Sequence, residues 1–87
     1  MKKQKLLAKV LSGSKNISFS EIQTLVEAFG FSLSRINGSH HIYSHPDVDK
    51  VINLQSVKGQ AKPYQIKQFL SLVETHNLGL EDDGETR

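Results

Sequence analysis

Apolar positions recur along this chain at two periods, and each period predicts a different kind of element. Leu6, Leu7, Val10 and Leu11 form a stripe with lysines opposite it, which predicts a short amphipathic helix over 2–11. Ser12-Gly13-Ser14 ends that helix, and 12–17 read as a loop. Ser18-Phe19-Ser20-Glu21 has the form of a capping box, in which Ser18 and Glu21 satisfy orphan amides at a helix start. Phe19, Ile22, Val26 and Phe29 then share one face, so a second helix is expected over 19–29. Gly30 can close it in the left-handed conformation, with Phe31 folding back toward Val26.

The period then changes to two. Residues 31–37, FSLSRIN, alternate as a half-buried strand. Asn37-Gly38 is a two-residue hairpin signal, because both positions tolerate positive φ. Residues 40–45, HHIYSH, run back as a second strand, and Pro46-Asp47 breaks it. Residues 50–55, KVINLQ, predict a third strand, and 56–62 a loop. Pro63 suits a first helical position, since its missing amide costs nothing there. Ile66, Phe69, Leu70 and Val73 carry a helix from there to 77, where Asn77 can close it.

The expected fold is therefore α+β: a two-layer sandwich, α-α-β-β-β-α, with three antiparallel strands covered by helices on one face. Three parts are expected. Residues 1–17 are a basic helical extension, 18–78 the domain proper, and 79–87 an acidic disordered tail with four acids and two glycines. The expected core is Phe19, Ile22, Val26, Phe29, Leu33, Ile42, Ile52, Leu54, Ile66, Phe69, Leu70 and Val73.

Composition narrows the function classes. The chain has 87 residues, room for one small domain. It has no cysteine, which excludes disulfides, thiolate metal sites and cysteine nucleophiles, and an intracellular home is expected. The apolar stretch near the start is interrupted by Lys9, and a signal peptide or membrane span is not expected. Net charge is +2, unevenly spread: residues 1–15 hold five lysines and no acid, while 74–87 hold five acids against Arg87. A basic arm favours a polyanion such as nucleic acid, or else is a solvated helix face; charge alone does not separate the two.

Candidate chemistry gathers in Gly38-Ser39-His40-His41-Ile42-Tyr43-Ser44-His45-Pro46. Alternation sorts His40, Ile42 and Ser44 onto one strand face and His41, Tyr43 and His45 onto the other. Ile42 is the most core-like of the six, so His40 is expected on the helix-side face, at its edge beside the turn. Tyr43 is then on the open face, where it could stack a base. Histidine titrates near neutral pH and can move protons in phosphodiester chemistry, where RNA supplies its own 2′-hydroxyl nucleophile. Gly38 and the amides near Ser39 could approach a phosphate closely. The blander reading is a histidine that hydrogen-bonds in a turn. A metal site is not expected, because His40 and His45 fall on opposite strand faces and Asp47 and Asp49 read as turn residues. Ser39 lacks the surroundings of a hydrolase nucleophile. Lys58, Lys62 and Lys67 around the last helix start could track backbone phosphates, or form a solvated loop.

The run GFSLSRINGSHHIYSHP, a short strand and then KPYQIKQFL together resemble the HicA family of toxins from bacterial toxin–antitoxin pairs. The residues that carry the likeness are Gly30-Phe31, Arg35, Gly38-Ser39-His40, Tyr43, His45-Pro46, and Ile66 to Leu70. The resemblance covers residues 18–78. It implies a fold like double-stranded-RNA-binding domains and a cytoplasmic endoribonuclease that cleaves mRNA without metal or other cofactor. It implies a HicB-like antitoxin as protein partner, no membrane, and contact with DNA only indirectly through that antitoxin. The family's catalytic histidine falls on His40, with His41 as the fallback, since a one-residue shift turns the next histidine to the same face. RNA contacts at Gly38, Ser39, Lys58, Lys62 and Lys67 complete the expected site. A non-catalytic RNA-binding or antitoxin-binding module of the same fold is the alternative.

Overall fold

A computed structural model describes residues 2–13 and 16–79. In chain order the elements are α1 (Lys2–Leu11), α2 (Phe19–Ala28), β1 (Ser32–Asn37), β2 (His40–His45), β3 (Val48–Val57), β4 (Gln60–Ala61) and α3 (Pro63–Thr75). Of the acidic tail expected over 79–87, residues 80–87 lie outside the described residues, as do Ser14 and Lys15 of the expected loop.

Local chemistry closes the helices where the residue types require it. Ser18 Oγ accepts the Glu21 amide at 3.1 Å, and Glu21 returns the bond by accepting the Ser18 amide at 2.9 Å. This reciprocal pair satisfies two of the orphan donors at the start of α2. At its other end Gly30 adopts φ +94°, and the Phe31 amide reaches back to the Val26 carbonyl at 3.3 Å. Asn77, at φ +54°, closes α3 the same way, with the Leu78 amide bonded to the Val73 carbonyl at 2.9 Å.

The sheet is a four-stranded antiparallel meander in the order β1-β2-β3-β4. Three strands were expected; the fourth comes from a tight turn at Lys58-Gly59, both at positive φ (+55° and +77°). That backbone is the type I′ hairpin turn, which lysine seldom enters, so the segment reads as a loop. The short β4 has a purpose in the packing. The Phe19 amide bonds the Gly59 carbonyl at 2.9 Å, and the Ala61 amide bonds the Ile17 carbonyl at 3.0 Å, which joins the sheet to the start of α2. The first hairpin is also one residue out from the expected position. Its two central residues are Gly38 and Ser39, with Asn37 and His40 paired across it. Only Gly38 has positive φ, at +65°, as a type II′ turn requires of its first central residue.

The helix-covered face of the sheet corrects the expected one. His41, Tyr43 and His45 point into the core layer, and His40, Ile42 and Ser44 face the open side. Tyr43 is fully buried and pairs with buried Ile52, while His41 pairs with buried Leu54. The physical reason lies on α2. Gln23 Nε2 donates to the Tyr43 hydroxyl at 3.0 Å, and that hydroxyl donates to Glu27 Oε2 at 3.4 Å. A phenol with its oxygen satisfied fills more of the core than isoleucine does. Phe31 and His45 pack edge to face at 5.0 Å between ring centroids, and Phe19 and His41 do the same at 5.0 Å.

The rest of the core follows the helical stripes. Ile22, Val26, Phe29, Ile52, Leu54 and Phe69 are buried as expected, and Phe19, Ile66, Leu70 and Val73 pack around them. Leu33 and Ile42 are corrections: Leu33 is 43% exposed on edge strand β1, and Ile42 is only half-buried on the open face. Leu25, Phe31 and Tyr43 take their place. Helix α1 packs through Leu6, Leu7 and Val10, and Lys9 Nζ lies 3.1 Å from Glu21 Oε1 at the head of α2.

Candidate active site on the open sheet face

Pairing on the open face sets polar side chains in rows. Asn37, His40 and Gln55 lie across β1, β2 and β3 in one row, and Arg35, Ile42 and Asn53 in the next. Arg35 owes its place to an irregularity in β1. Leu33 pairs with Tyr43 on the covered face, and the register then shifts so that Arg35 pairs with Ile42 on the open one. Without that bulge, residues two apart would share a face and Arg35 would follow Leu33. The ion pair found among the described residues joins Lys9 and Glu21, and Arg35 makes none with them.

His40 is half-buried at the Gly38-Ser39 turn. Its Nδ1 is 2.9 Å from Asn53 Oδ1, on the diagonal neighbour of its own cross-strand partner. An amide oxygen only accepts, so with Oδ1 facing the ring the neutral imidazole carries its proton on Nδ1. Nε2 then keeps its lone pair, and it makes no hydrogen bond to the described residues. This is the arrangement a general base needs: one ring nitrogen held by a positioning group and the other open to a substrate proton. Beside it, Gln55 Nε2 donates to Ser39 Oγ at 3.2 Å and braces the turn. Gly38 carries open space where a side chain would project, so a phosphate could approach its backbone.

The other histidines of the strand are held in the core layer. His45 is buried, and its Nδ1 accepts the Asp47 amide at 3.0 Å, which serves the turn between β2 and β3. His41 lies on the covered face with Nδ1 buried and without a hydrogen-bond partner among the described residues. Tyr43, expected to be open for stacking, is sealed under α2, and burial raises its phenol above the ordinary tyrosine range while the Gln23 hydrogen bond opposes the shift. Among the described residues no group of three or more His, Cys, Asp or Glu side chains is placed to hold a metal ion, and no helix is long and apolar enough to cross a membrane.

The three lysines divide. Lys58 occupies the β3–β4 turn, at the same end of the sheet as Gly38 and Ser39, and lines one groove with Lys62. Lys62 is the N-terminal cap residue of α3, and its Nζ lies 5.6 Å from the centre of the Tyr64 ring. Lys67 instead lines the groove between α1 and α3, among Val10, Leu11, Ile17 and Leu70. Asn53 and Gln55 belong to the site although they were not among the residues expected there. No local signal marks them, because their partners are 13 and 16 positions away. Arg35 was visible only as part of a motif; its face is set by the bulge.

No curated protein and no solved structure matched the chain. The family model described as HicA toxin of bacterial toxin-antitoxin matches residues 19–74, from the head of α2 to the last turn of α3. That span contains the hairpin, the open-face rows and the helices that cover the sheet, and is well over half of the chain, which therefore belongs to the HicA toxin family.

Proposed function

We propose that this toxin is an endoribonuclease that cleaves messenger RNA without a metal ion, with His40 as general acid/base. The observation that carries the reading is the His40 ring itself, tethered at Nδ1 by Asn53 with Nε2 free beside a glycine turn. In the reaction Nε2 takes the proton of a ribose 2′-hydroxyl. The 2′-oxygen bonds to the adjacent phosphorus, the bond from phosphorus to the 5′-oxygen breaks, and that oxygen leaves with a proton from the imidazolium or from water. Arg35 offers a positive charge one row away for the charge that builds on the phosphoryl oxygens. Gly38 and Ser39 present backbone to the phosphate, and Lys58 and Lys62 hold the strand as it leaves the sheet. Lys67, on the α1 side, belongs to RNA binding only if the strand continues around α3.

The toxin–antitoxin pairing of the family supports a HicB-like protein as the neutralising partner, with any DNA contact made through that partner, in the cytoplasm. The test is incubation of the pure protein with messenger RNA in excess chelator. Cleavage is expected, and His40→Ala is expected to abolish it while RNA still binds. Undiminished cleavage by that variant would overturn the assignment. Salt-sensitive RNA binding with no cut product would make the protein a binding module instead.

A further inference from the structure

We infer that Asn53 is a positioning residue for His40: its Oδ1, 2.9 Å from Nδ1, selects the tautomer that leaves Nε2 unprotonated. The inference rests on the reading of His40 as the proton-transfer group. A histidine side chain free in water prefers its proton on Nε2, the tautomer in which that nitrogen cannot act as a base. On the open face of this sheet the preference is reversed by geometry. Ile42 pairs with Asn53 and His40 with Gln55, so Asn53 sits diagonally across from His40, within reach of its ring. Gln55 is drawn the other way, to Ser39 Oγ, and leaves Asn53 as the partner of the imidazole. Asn53 is exposed and its neighbours in β3, Ile52 and Leu54, are buried, so its own side chain is free to act on the open face while the strand is anchored from behind. The charged group in the adjacent row is Arg35, which only donates and so does not compete with Asn53 as an acceptor for Nδ1.

Which ring nitrogen carries the proton is a separate property from how many protons the ring carries. An acceptor at position 53 sets which nitrogen is protonated; a hydrophobic residue of similar size does not. Loss of a group that orients a reactive imidazole costs roughly 10- to 100-fold where such losses are known at metal sites, and a similar loss in kcat is expected here.

The experiment is ¹⁵N–¹H correlation of the His40 ring in the full chain, above the ordinary titration range of imidazole, for wild type, Asn53→Asp and Asn53→Leu. Wild type and Asn53→Asp are expected to show the proton on Nδ1, and Asn53→Leu to return it to Nε2, each with unchanged backbone dispersion. The cleavage rate is expected to follow: reduced in Asn53→Leu and restored in Asn53→Asp. A wild-type ring with its proton on Nε2 overturns the inference, since the Asn53 amide would then be donating. So does a proton that stays on Nδ1 in Asn53→Leu. The ring spectra need no RNA. A protein that shows the expected tautomers but cuts nothing loses the nuclease reading and keeps the positioning one.

Discussion

Gln65, buried in α3, accepts the backbone amide of Gln55 in β3 at 2.8 Å. Gln55 is also the cross-strand partner of His40, so this bond fixes the strand directly behind the candidate site. Strand β4 stops at Ala61, opposite Ser56, and the next outward amide of β3 has no strand to meet. A side-chain oxygen supplied from the helix takes the place of that strand. Gln65→Leu is expected to lower stability by about 1–3 kcal/mol, the cost of a buried amide left without an acceptor. Urea unfolding measures the loss, and faster exchange of the Gln55 amide localises it.

The two adjacent histidines are expected to separate cleanly. His40→Ala should leave the unfolding free energy within about 0.5 kcal/mol of wild type, because the side chain stands on the open face. His41→Ala should destabilise, because its ring packs edge-on against Phe19, yet cleave RNA whenever it is folded. Loss of cleavage in folded His41→Ala with retention in His40→Ala would move the chemistry to the covered face.

Stability is expected to depend on Glu21 at acid pH. Hydrogen bonding from the Ser18 amide, and then from Lys9, holds the Glu21 carboxyl below the ordinary glutamate value. A carboxylate depressed in the folded state adds stability that is present above its unfolded pKa and is lost as pH falls through the folded one. Thermal melts should therefore fall through the lower carboxylate range, and Glu21→Gln should remove that part of the dependence. An equal pH slope in the variant would show that the capping box does not carry it.

Lys58 stands at φ +55°, in a turn whose preferred sequence is Asn-Gly. Lys58→Asn is expected to raise stability by about 1 kcal/mol, by relieving the left-handed strain of a long side chain. If Lys58 also meets an RNA phosphate, the same change should lower the slope of log affinity against log salt by about 1. Melting reports the first effect and fluorescence anisotropy at several salt concentrations the second.

The sequence alone determined the local boundaries. Ser18 and Glu21, Gly30, Pro63 and Asn77 act within a turn or two of themselves, so their caps are legible without knowledge of the fold. The burial of Phe69 follows from a helical stripe in the same way. The two sets of alternating residues in β2 were also legible, but not which set is covered. Alternation is symmetric, and a one-residue choice exchanges every side chain between the faces. Helix α2 breaks the tie, because Gln23 and Glu27 at the rim of the covered face give the hydroxyl of the buried Tyr43 its partners and so turn His40 outward. The bulge that brings Arg35 to the same side, the lysine turn that creates β4, and the bond from Asn53 to His40 depend likewise on contacts between strands distant in sequence, which no local pattern encodes.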